Sequence, residues 1–281
     1  MRLTMRSRFR SSVPRCTVAL LALAILAGCA ARPDPNDPDE VAEFKQTNDP
    51  IEPFNRTMFA VHQGIDRVIL RPVAVAYRDV VPQPVRTGIR NVLGNLRTPV
   101  ILANDMLQGE PRRAGDTLGR FLINSTLGLG GLFDVASSQF GVKGHSEDYG
   151  QTLAVWGVGE GAYLFIPVLG PSNPRDLAGF GLGIASDPLT WVGQGVTVDV
   201  LTGTRAGMSV VDTRESLIEV IDIVNTESLD PYATLRSAYR QRRNAEIRNT
   251  NDGSAPSAAG ATGYGVGTGV RPPPPGTPLP R

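Results

Sequence analysis

The chain has few of the residues that most often carry metal or catalytic chemistry. Among its 281 residues are two cysteines, Cys16 and Cys29, and two histidines, His62 and His145. Because these residues stand far apart, a histidine- or thiol-based metal site is not expected. The sequence contains no G-x-S-x-G, H-E-x-x-H or phosphate-loop motif. His145 lies beside Ser146 and two acids in GHSEDYG, but neighbours in one loop do not make a catalytic triad. The sequence therefore predicts no enzymatic activity and no cofactor.

The chain also lacks an apolar run long enough to cross a bilayer, which needs about 20 residues. Its most apolar segment, residues 17–26, follows a start with five arginines and no acid. A basic start before a short apolar segment is typical of a secretory signal. The segment ends in Leu-Ala-Gly-Cys, which resembles the bacterial lipobox, where the cysteine is lipidated and becomes the first residue after cleavage. We predict that residues 1–28 are a lipoprotein signal peptide and that Cys29 carries lipid.

The predicted lipid on Cys29 indicates in which membrane the chain is anchored. Two or more acyl chains anchor a protein stably, whereas one gives only marginal binding. Ala30, and not Asp, follows the cysteine, which favours the outer membrane over retention in the inner membrane. Cleavage would remove Cys16 and five of the 28 basic residues, leaving 23 against 27 acidic ones and no free thiol. This balance does not indicate a nucleic-acid partner.

Composition divides the rest of the chain into three parts. Residues 29–47 are rich in proline and acids and are predicted to tether the lipid to the folded domain. Residues 250–281 are rich in Gly, Pro, Ser and Ala and end in PPPPGTPLPR, so a disordered tail is expected. Residues 48–249 remain, and their length suits one domain.

Apolar residues within this domain recur every three or four positions, which is the spacing of one helix face. The first such face consists of Phe54, Met58, Val61, Ile65 and Val68. Pro72 is predicted to break or kink this first helix near Arg71. The residues after it, 73–81, are compatible with either a helix or an extended segment.

Prolines recur where further helices are expected to begin, and glycines recur where they are expected to end. Pro84, Pro99 and Pro111 are each predicted to open a helix, and the last of these is followed by LGLGG at 127–131. Gly128, Gly130 and Gly131 are expected to form a tight turn between helices. Three further glycines could allow helices to approach closely or could act as hinges, and both readings stay open. They are Gly179, Gly181 and Gly183.

The second half of the domain follows the same pattern more weakly. Residues 191–211 and 213–224 are predicted to be helices, although the Val and Thr content of 191–211 would also suit a strand. Asp230-Pro231 is predicted to open a last helix. Residues 162–168 look like a strand, but the flanking glycines and Pro167 favour an extended loop. The predicted fold class is all-α, built from short amphipathic helices with little or no β-structure. Periodicity does not decide whether the apolar faces are buried within a soluble domain or lie in a membrane.

Several clusters are more specific than any single motif above. They are NDPIEPFNR at 48–56, LRPVAVAY at 70–77, VPQPVR at 81–86, NLRTPV at 95–100, NDMLQGEP at 104–111, RFLINSTLGLGGLFDVA at 120–136, EDYGQTLAVWGV at 147–158 and YLFIPVLGPSNPRD at 163–176. In this order and spacing they resemble the MlaA family, also called VacJ lipoproteins. The resemblance is strong over residues 49–191 and continues more loosely to about Arg243.

The resemblance implies an outer-membrane lipoprotein that removes mislocalised phospholipid from the outer leaflet and passes it to a soluble periplasmic carrier, MlaC. It also implies a ring of amphipathic helices in the periplasmic leaflet around an amphipathic pore, association with a trimeric porin, and no cofactor. Cys29, the predicted lipidation site, is the only candidate site residue. The alternative is a structural lipoprotein that uses the same helices to bind porins without moving lipid.

Overall fold

The computed structural model describes Asp37, residues 48–191 and residues 196–249. Helices dominate this part of the chain, so the predicted all-α fold with little β-structure is confirmed. The helices are α1 (Glu52–Ile65), α2 (Arg71–Val80), α3 (Gln83–Leu107), α4 (Pro111–Thr126), α5 (Val135–Phe140), α6 (Tyr149–Val155), α7 (Pro174–Ser186), α8 (Pro188–Trp191), α9 (Val196–Ser216), α10 (Ile218–Glu227) and α11 (Pro231–Ile247). Two short strands, β1 (Leu164–Ile166) and β2 (Gly170–Ser172), pair antiparallel as a hairpin.

Pro72 does not stop the first helix. A π-helical turn at Asp66–Leu70 joins α1 to α2, and the backbone N–H of Arg71 donates to the carbonyl of Asp66. A wider turn of this kind lets the backbone accommodate a residue that has no N–H to donate. The predicted break is therefore a change of helix geometry, and residues 71–80 are helical rather than extended.

Pro99 lies inside α3 and does not open a helix, so that prediction was wrong. Tertiary contacts on both sides of the proline keep the helix continuous. The buried Asn95 donates from Nδ2 to Ser125 Oγ on α4 at 2.9 Å, and the buried Asn104 accepts at Oδ1 from the Thr152 hydroxyl on α6 at 2.6 Å. Packing against α4 outweighs the loss of one backbone hydrogen bond.

Two other boundaries differ from the sequence predictions. Residues 164–166 form a strand and not an extended loop, because the turn that follows brings Gly170 back opposite Ile166. The helix predicted at 213–224 is interrupted at Leu217, where α9 has ended and α10 has not begun. At the break the N–H of Leu217 donates to the carbonyl of Arg214, three residues back, and Arg78 Nη2 donates to the carbonyl of Glu215 at 2.8 Å.

The distribution of polar and apolar side chains is the reverse of that in a typical soluble domain. Polar and charged residues predominate among the buried side chains of the described ranges, while many large apolar ones face outward. Exposed fractions reach 73% for Val68, 78% for Val80, 68% for Met106 and 70% for Leu129. None of the helices in the described ranges has the length together with the apolar composition that crossing a bilayer requires.

One compact apolar cluster joins the ends of the described chain to its middle. Tyr163, Phe165 and Tyr232 are buried together, and Phe59 on α1 packs edge-on against both Phe165 and Tyr232. Asp49 lies beside this cluster, where it accepts hydrogen bonds from Asn55, Tyr232 and Arg236. The residues that follow the predicted tether are thus held against α11.

Candidate functional site

A cavity of about 230 Å³ lies among the helices of the second half of the domain. Its walls come from α3, the N-terminal end of α6, α7, α8, α9 and α11. Three arginines and three aspartates line it, so the two signs are equal in number. They are Arg97, Arg205, Arg243, Asp148, Asp176 and Asp187.

Arg243 on α11 is the central cation of this site. It donates from Nη1 and Nη2 to the two carboxylate oxygens of Asp148, both at 2.7 Å, and its Nε lies 2.8 Å from Asp176 Oδ2. Asp148 also caps α6 by accepting from the backbone N–H of Gln151. Burial by itself would raise the pKa of Asp148, but Arg243 and this N–H hold that pKa well below its ordinary value.

The start of α7 supplies Asp176 to the cavity. Asn173 caps the helix, and its Nδ2 donates to Asp176 Oδ2 at 3.0 Å and to the hydroxyl of Tyr239 at 3.0 Å. Gly150 stands where a side chain has no room, since a Cβ there would lie 2.4 Å from Arg243 Nη2. The helix caps Asp148 and Asn173 and the missing side chain at Gly150 thus allow Asp148, Asp176 and Arg243 to meet.

Arg205, Asp187 and Arg97 complete the charged lining of the cavity. Arg205 on α9 pairs with Asp187 at 2.5 Å, and Arg97 projects from α3. Burial lowers the pKa of the Arg97 guanidinium, although Asp148 and Glu246 partly oppose the effect. Four apolar side chains also line the cavity, which are Val100, Phe180, Ile184 and Ala206. A molecule with a charged head and apolar chains matches this combination of walls.

A second polar cluster lies outside this cavity. His145 Nε2 is 2.8 Å from Asp105 Oδ1, and Glu147 lies beside them, so the three groups could in principle hold a metal ion. Each is already paired: Arg113 Nη2 lies 2.5 Å from a Glu147 oxygen, and Thr117 donates to Asp105 at 2.6 Å. These contacts account for the two buried carboxylates through ion pairing and hydrogen bonding. Glu147 and Asp148 are neighbours in the GHSEDYG loop, but Glu147 pairs with Arg113 whereas Asp148 pairs with Arg243.

The predicted site residue Cys29 lies outside the described residues, as do residues 30–36 and 38–47. Of the glycines singled out in the sequence, Gly130 and Gly131 have the positive φ of a tight turn, as predicted. Gly179 approaches the backbone of Gly150 so closely that a Cβ would lie 2.2 Å from its nitrogen. Gly181 and Gly183 make no such approach.

Sequence reasoning missed the charged residues of the cavity. The capping patterns at Asp148 and Asn173 were visible as an acid or Asn just before a helix. Nothing in the spacing connected them with Arg243, which is 95 residues from Asp148. Their meeting depends on how α6, α7 and α11 pack.

The sequence of the described domain matches a known protein family. A family model described as MlaA lipoprotein matches residues 47–246. The Haemophilus influenzae protein named intermembrane phospholipid transport system lipoprotein MlaA is 33% identical over 237 residues, which cover 84% of this chain and 90% of that protein. The Escherichia coli (strain K12) protein of the same name is 35% identical over 231 residues, covering 81% and 86% of the two chains.

A solved structure is similar as well. It comes from work on the structural basis for maintenance of bacterial outer membrane lipid asymmetry, and its chain is 35% identical to this one. The match has a TM-score of 0.63 and covers 71% of this chain and 99% of that chain.

Proposed function

The chain belongs to the MlaA lipoprotein family, and on that basis we propose that it is a phospholipid-transport lipoprotein of the outer membrane. It removes mislocalised phospholipid from the outer leaflet and passes it to a periplasmic carrier, which maintains lipid asymmetry. The named relatives belong to an intermembrane phospholipid transport system, and the similar structure comes from work on outer-membrane lipid asymmetry. The chain itself performs no covalent chemistry in this proposal.

The observation that carries the proposal is a cavity lined by charged groups inside a body that exposes many large apolar side chains. Large exposed side chains such as Val80 and Met106 are unfavourable in water, at about 25 cal/mol per Å² of apolar area. They suit contact with acyl chains. We propose that the helices form a ring in the periplasmic leaflet, lying within it and not crossing the bilayer.

The cavity offers a charged headgroup polar partners that the hydrocarbon core of a bilayer does not contain. A charged headgroup moving through hydrocarbon loses its hydration at a high energetic cost. In the cavity, arginines can meet a phosphate and aspartates can meet an ammonium group, while Val100 and Ile184 face the acyl chains. A phospholipid could then leave the membrane without passing its headgroup through hydrocarbon.

Anchoring and partners complete the proposal. Residues 1–28 are removed, Cys29 is lipidated, residues 29–47 form the tether, residues 48–249 form the transport domain and residues 250–281 form the tail. The protein then sits on the periplasmic side of the outer membrane. An MlaC-like carrier accepts the lipid and a trimeric porin holds the ring, as the family resemblance implies. Transport direction is set by the carrier and by the steps after it.

A pair of glycine substitutions tests whether lipid uses the cavity. Gly183 lines the cavity and Gly181 does not, and neither has any atom within 4 Å of a Cβ added there. Both lie on α7, so leucine costs the helix little at either position. In a strain that lacks the gene, the wild type and Gly181→Leu should restore a low level of surface phospholipid. Gly183→Leu should not, at equal protein abundance.

Three results would count against this proposal, the first against the route through the cavity and the other two against transport itself. The first is full complementation by Gly183→Leu, and the second is a deletion strain with normal outer-leaflet phospholipid and normal detergent resistance. The third is a purified protein that binds porin firmly yet neither copurifies with phospholipid nor transfers it to a carrier. That last result would favour the scaffold.

A further inference from the structure

Two side chains of α1 hold the β1–β2 hairpin, and they do so in different ways. Asn55 is fully buried; its Nδ2 donates to the carbonyl of Tyr163 and its Oδ1 accepts from the N–H of Phe165, both at 2.9 Å. His62 lies seven residues later, on the same face of the helix. Its Nδ1 accepts from the backbone N–H of Val168 at 3.1 Å, at the tip of the hairpin.

The tip is strained where His62 holds it. Val168 has a φ of +70° and is 42% exposed. A β-branched residue is rarely found in this left-handed region, because its side chain crowds the backbone there. The hydrogen bond to His62, together with contact between the His62 and Phe165 rings at 5.5 Å, opposes relaxation of the turn. Tyr163 and Phe165, which Asn55 binds at the start of the hairpin, do not have a positive φ.

The hairpin leads directly into the cavity wall. Ser172 ends β2, Asn173 caps α7, and Asp176 in the first turn of α7 contacts Arg243. Buried hydrogen bonds from Asn55 fix the start of the hairpin. The attachment at Val168, in contrast, is a single hydrogen bond near the surface.

We propose that His62 is a positioning residue that latches the hairpin tip, keeps the start of α7 against the cavity while it is neutral, and releases the tip when it is protonated. As an acceptor, Nδ1 must carry no proton. In the imidazolium form both ring nitrogens are donors, so Nδ1–H would face the N–H of Val168. This inference rests on the proposed transport function.

The surroundings of His62 place the release on the acid side of neutrality. Burial lowers its pKa from 6.5; Asp66, one turn along, raises it, and Arg214 on α9 lowers it. Residues 164–172 of the hairpin carry no ionisable side chain. The neighbouring contact from α10 is the amide of Asn225, which pairs with Gln63. The latch is therefore closed at neutral pH and opens below the ordinary histidine pKa.

Amide hydrogen exchange at Val168 tests the latch on the purified full-length lipoprotein in lipid nanodiscs. His62→Leu removes the acceptor, whereas His62→Asn places an oxygen close to the position of Nδ1 and does not titrate. We expect His62→Leu to lower the protection factor of this amide about tenfold at pH 7.5, the effect of losing one hydrogen bond. His62→Asn should retain protection. Gln63→Ala, which removes the adjacent contact with Asn225 at 3.0 Å, is the matched control.

Acidification separates a latch from a merely structural histidine. After correction for intrinsic exchange, wild-type protection at Val168 should fall as the pH is lowered from 7.5 to below the ordinary histidine pKa of 6.5, and His62→Asn should show no such step. Equal protection in the wild type and His62→Leu would overturn the inference, as would an undiminished acid step in His62→Asn.

Function is read separately, by transfer of phospholipid from the nanodiscs to a purified periplasmic carrier. His62→Leu should slow this transfer several-fold and His62→Asn should restore it. If the wild type transfers no phospholipid, the proposed function fails whatever the exchange data show. Normal transfer by His62→Leu, with Val168 deprotected, would sink the positioning role alone.

Discussion

Arg214 on α9 donates two hydrogen bonds to Asp66, from Nε to Oδ1 at 2.6 Å and from Nη2 to Oδ2 at 2.9 Å. Both side chains are buried, and they are 148 residues apart in the chain. Asp66 begins the π-helical turn that joins α1 to α2. The pair therefore fixes the point where the first helix changes geometry against a helix from the other end of the domain.

Removing one partner of this pair should be costly. Arg214→Met leaves the Asp66 carboxylate buried without its cation, which typically costs about 3–5 kcal/mol. For a domain of this size that corresponds to an apparent Tm lower by about 10 °C, measured by thermal unfolding in detergent. The double variant Asp66→Leu/Arg214→Met should recover much of the loss, because no charge is left buried.

The matched control lies one turn away. Arg71→Met breaks an exposed pair with Asp222 and should leave the apparent Tm almost unchanged, because water solvates both groups. A drop as large as that of Arg214→Met would show that burial does not decide the effect.

The close approach at Gly150 gives a second prediction. Gly150→Ala places a Cβ 2.4 Å from Arg243 Nη2 and 2.7 Å from Asp176 Oδ1, so the ion-pair network must shift. We expect a loss of stability of about 1–3 kcal/mol, as is usual for overpacking, and reduced phospholipid transfer. Gly115→Ala on α4 has nothing within 4 Å and should be neutral or stabilising by up to about 1 kcal/mol. Unfolding curves that rank the two variants in the opposite order would contradict this packing.

Acid should weaken the cavity through Asp148. Its folded-state pKa lies below the ordinary 3.8, so its stabilising contribution is complete above that value and is lost as the pH falls through the folded pKa. Thermal unfolding of the wild type between pH 6 and pH 2 should therefore show a decline that begins below about pH 4. Asp148→Asn should be less stable than the wild type at pH 6 and should approach it at pH 2. Parallel pH curves for the two proteins would argue against a stabilising Arg243–Asp148 pair.

The predicted anchor can be tested by fractionation. Cys29→Ser removes the thiol that lipid would modify, so we expect an unprocessed or soluble protein and no incorporation of labelled fatty acid. Ala30→Asp is a useful companion, because it leaves the thiol in place and should alter sorting only. Lipid labelling and outer-membrane recovery of Cys29→Ser at wild-type levels would disprove the assignment.

Much of the helical architecture could be predicted from the sequence. The face from Phe54 to Val68, the prolines at helix starts and the glycine turn at 130–131 all depend on local preferences, which act within a few residues. The failures at Pro99 and Leu217 share a cause. At each, a contact with a distant segment overrode the local preference: Asn95 with Ser125 near Pro99, and Arg78 with the carbonyl of Glu215 near Leu217.

The sequence by itself determined the helical class, the family and the apolar faces, because periodicity and motif order are properties of the linear chain. It could not decide whether those faces point inward or outward. Only the tertiary structure showed that the buried positions are largely polar and that the large apolar side chains face out. It also brought Arg243 to Asp148 and Asp176, and His62 to Val168. Arg243 with Asp148 and His62 with Val168 each join residues about a hundred positions apart, and such contacts depend on how the helices pack, which no local spacing encodes.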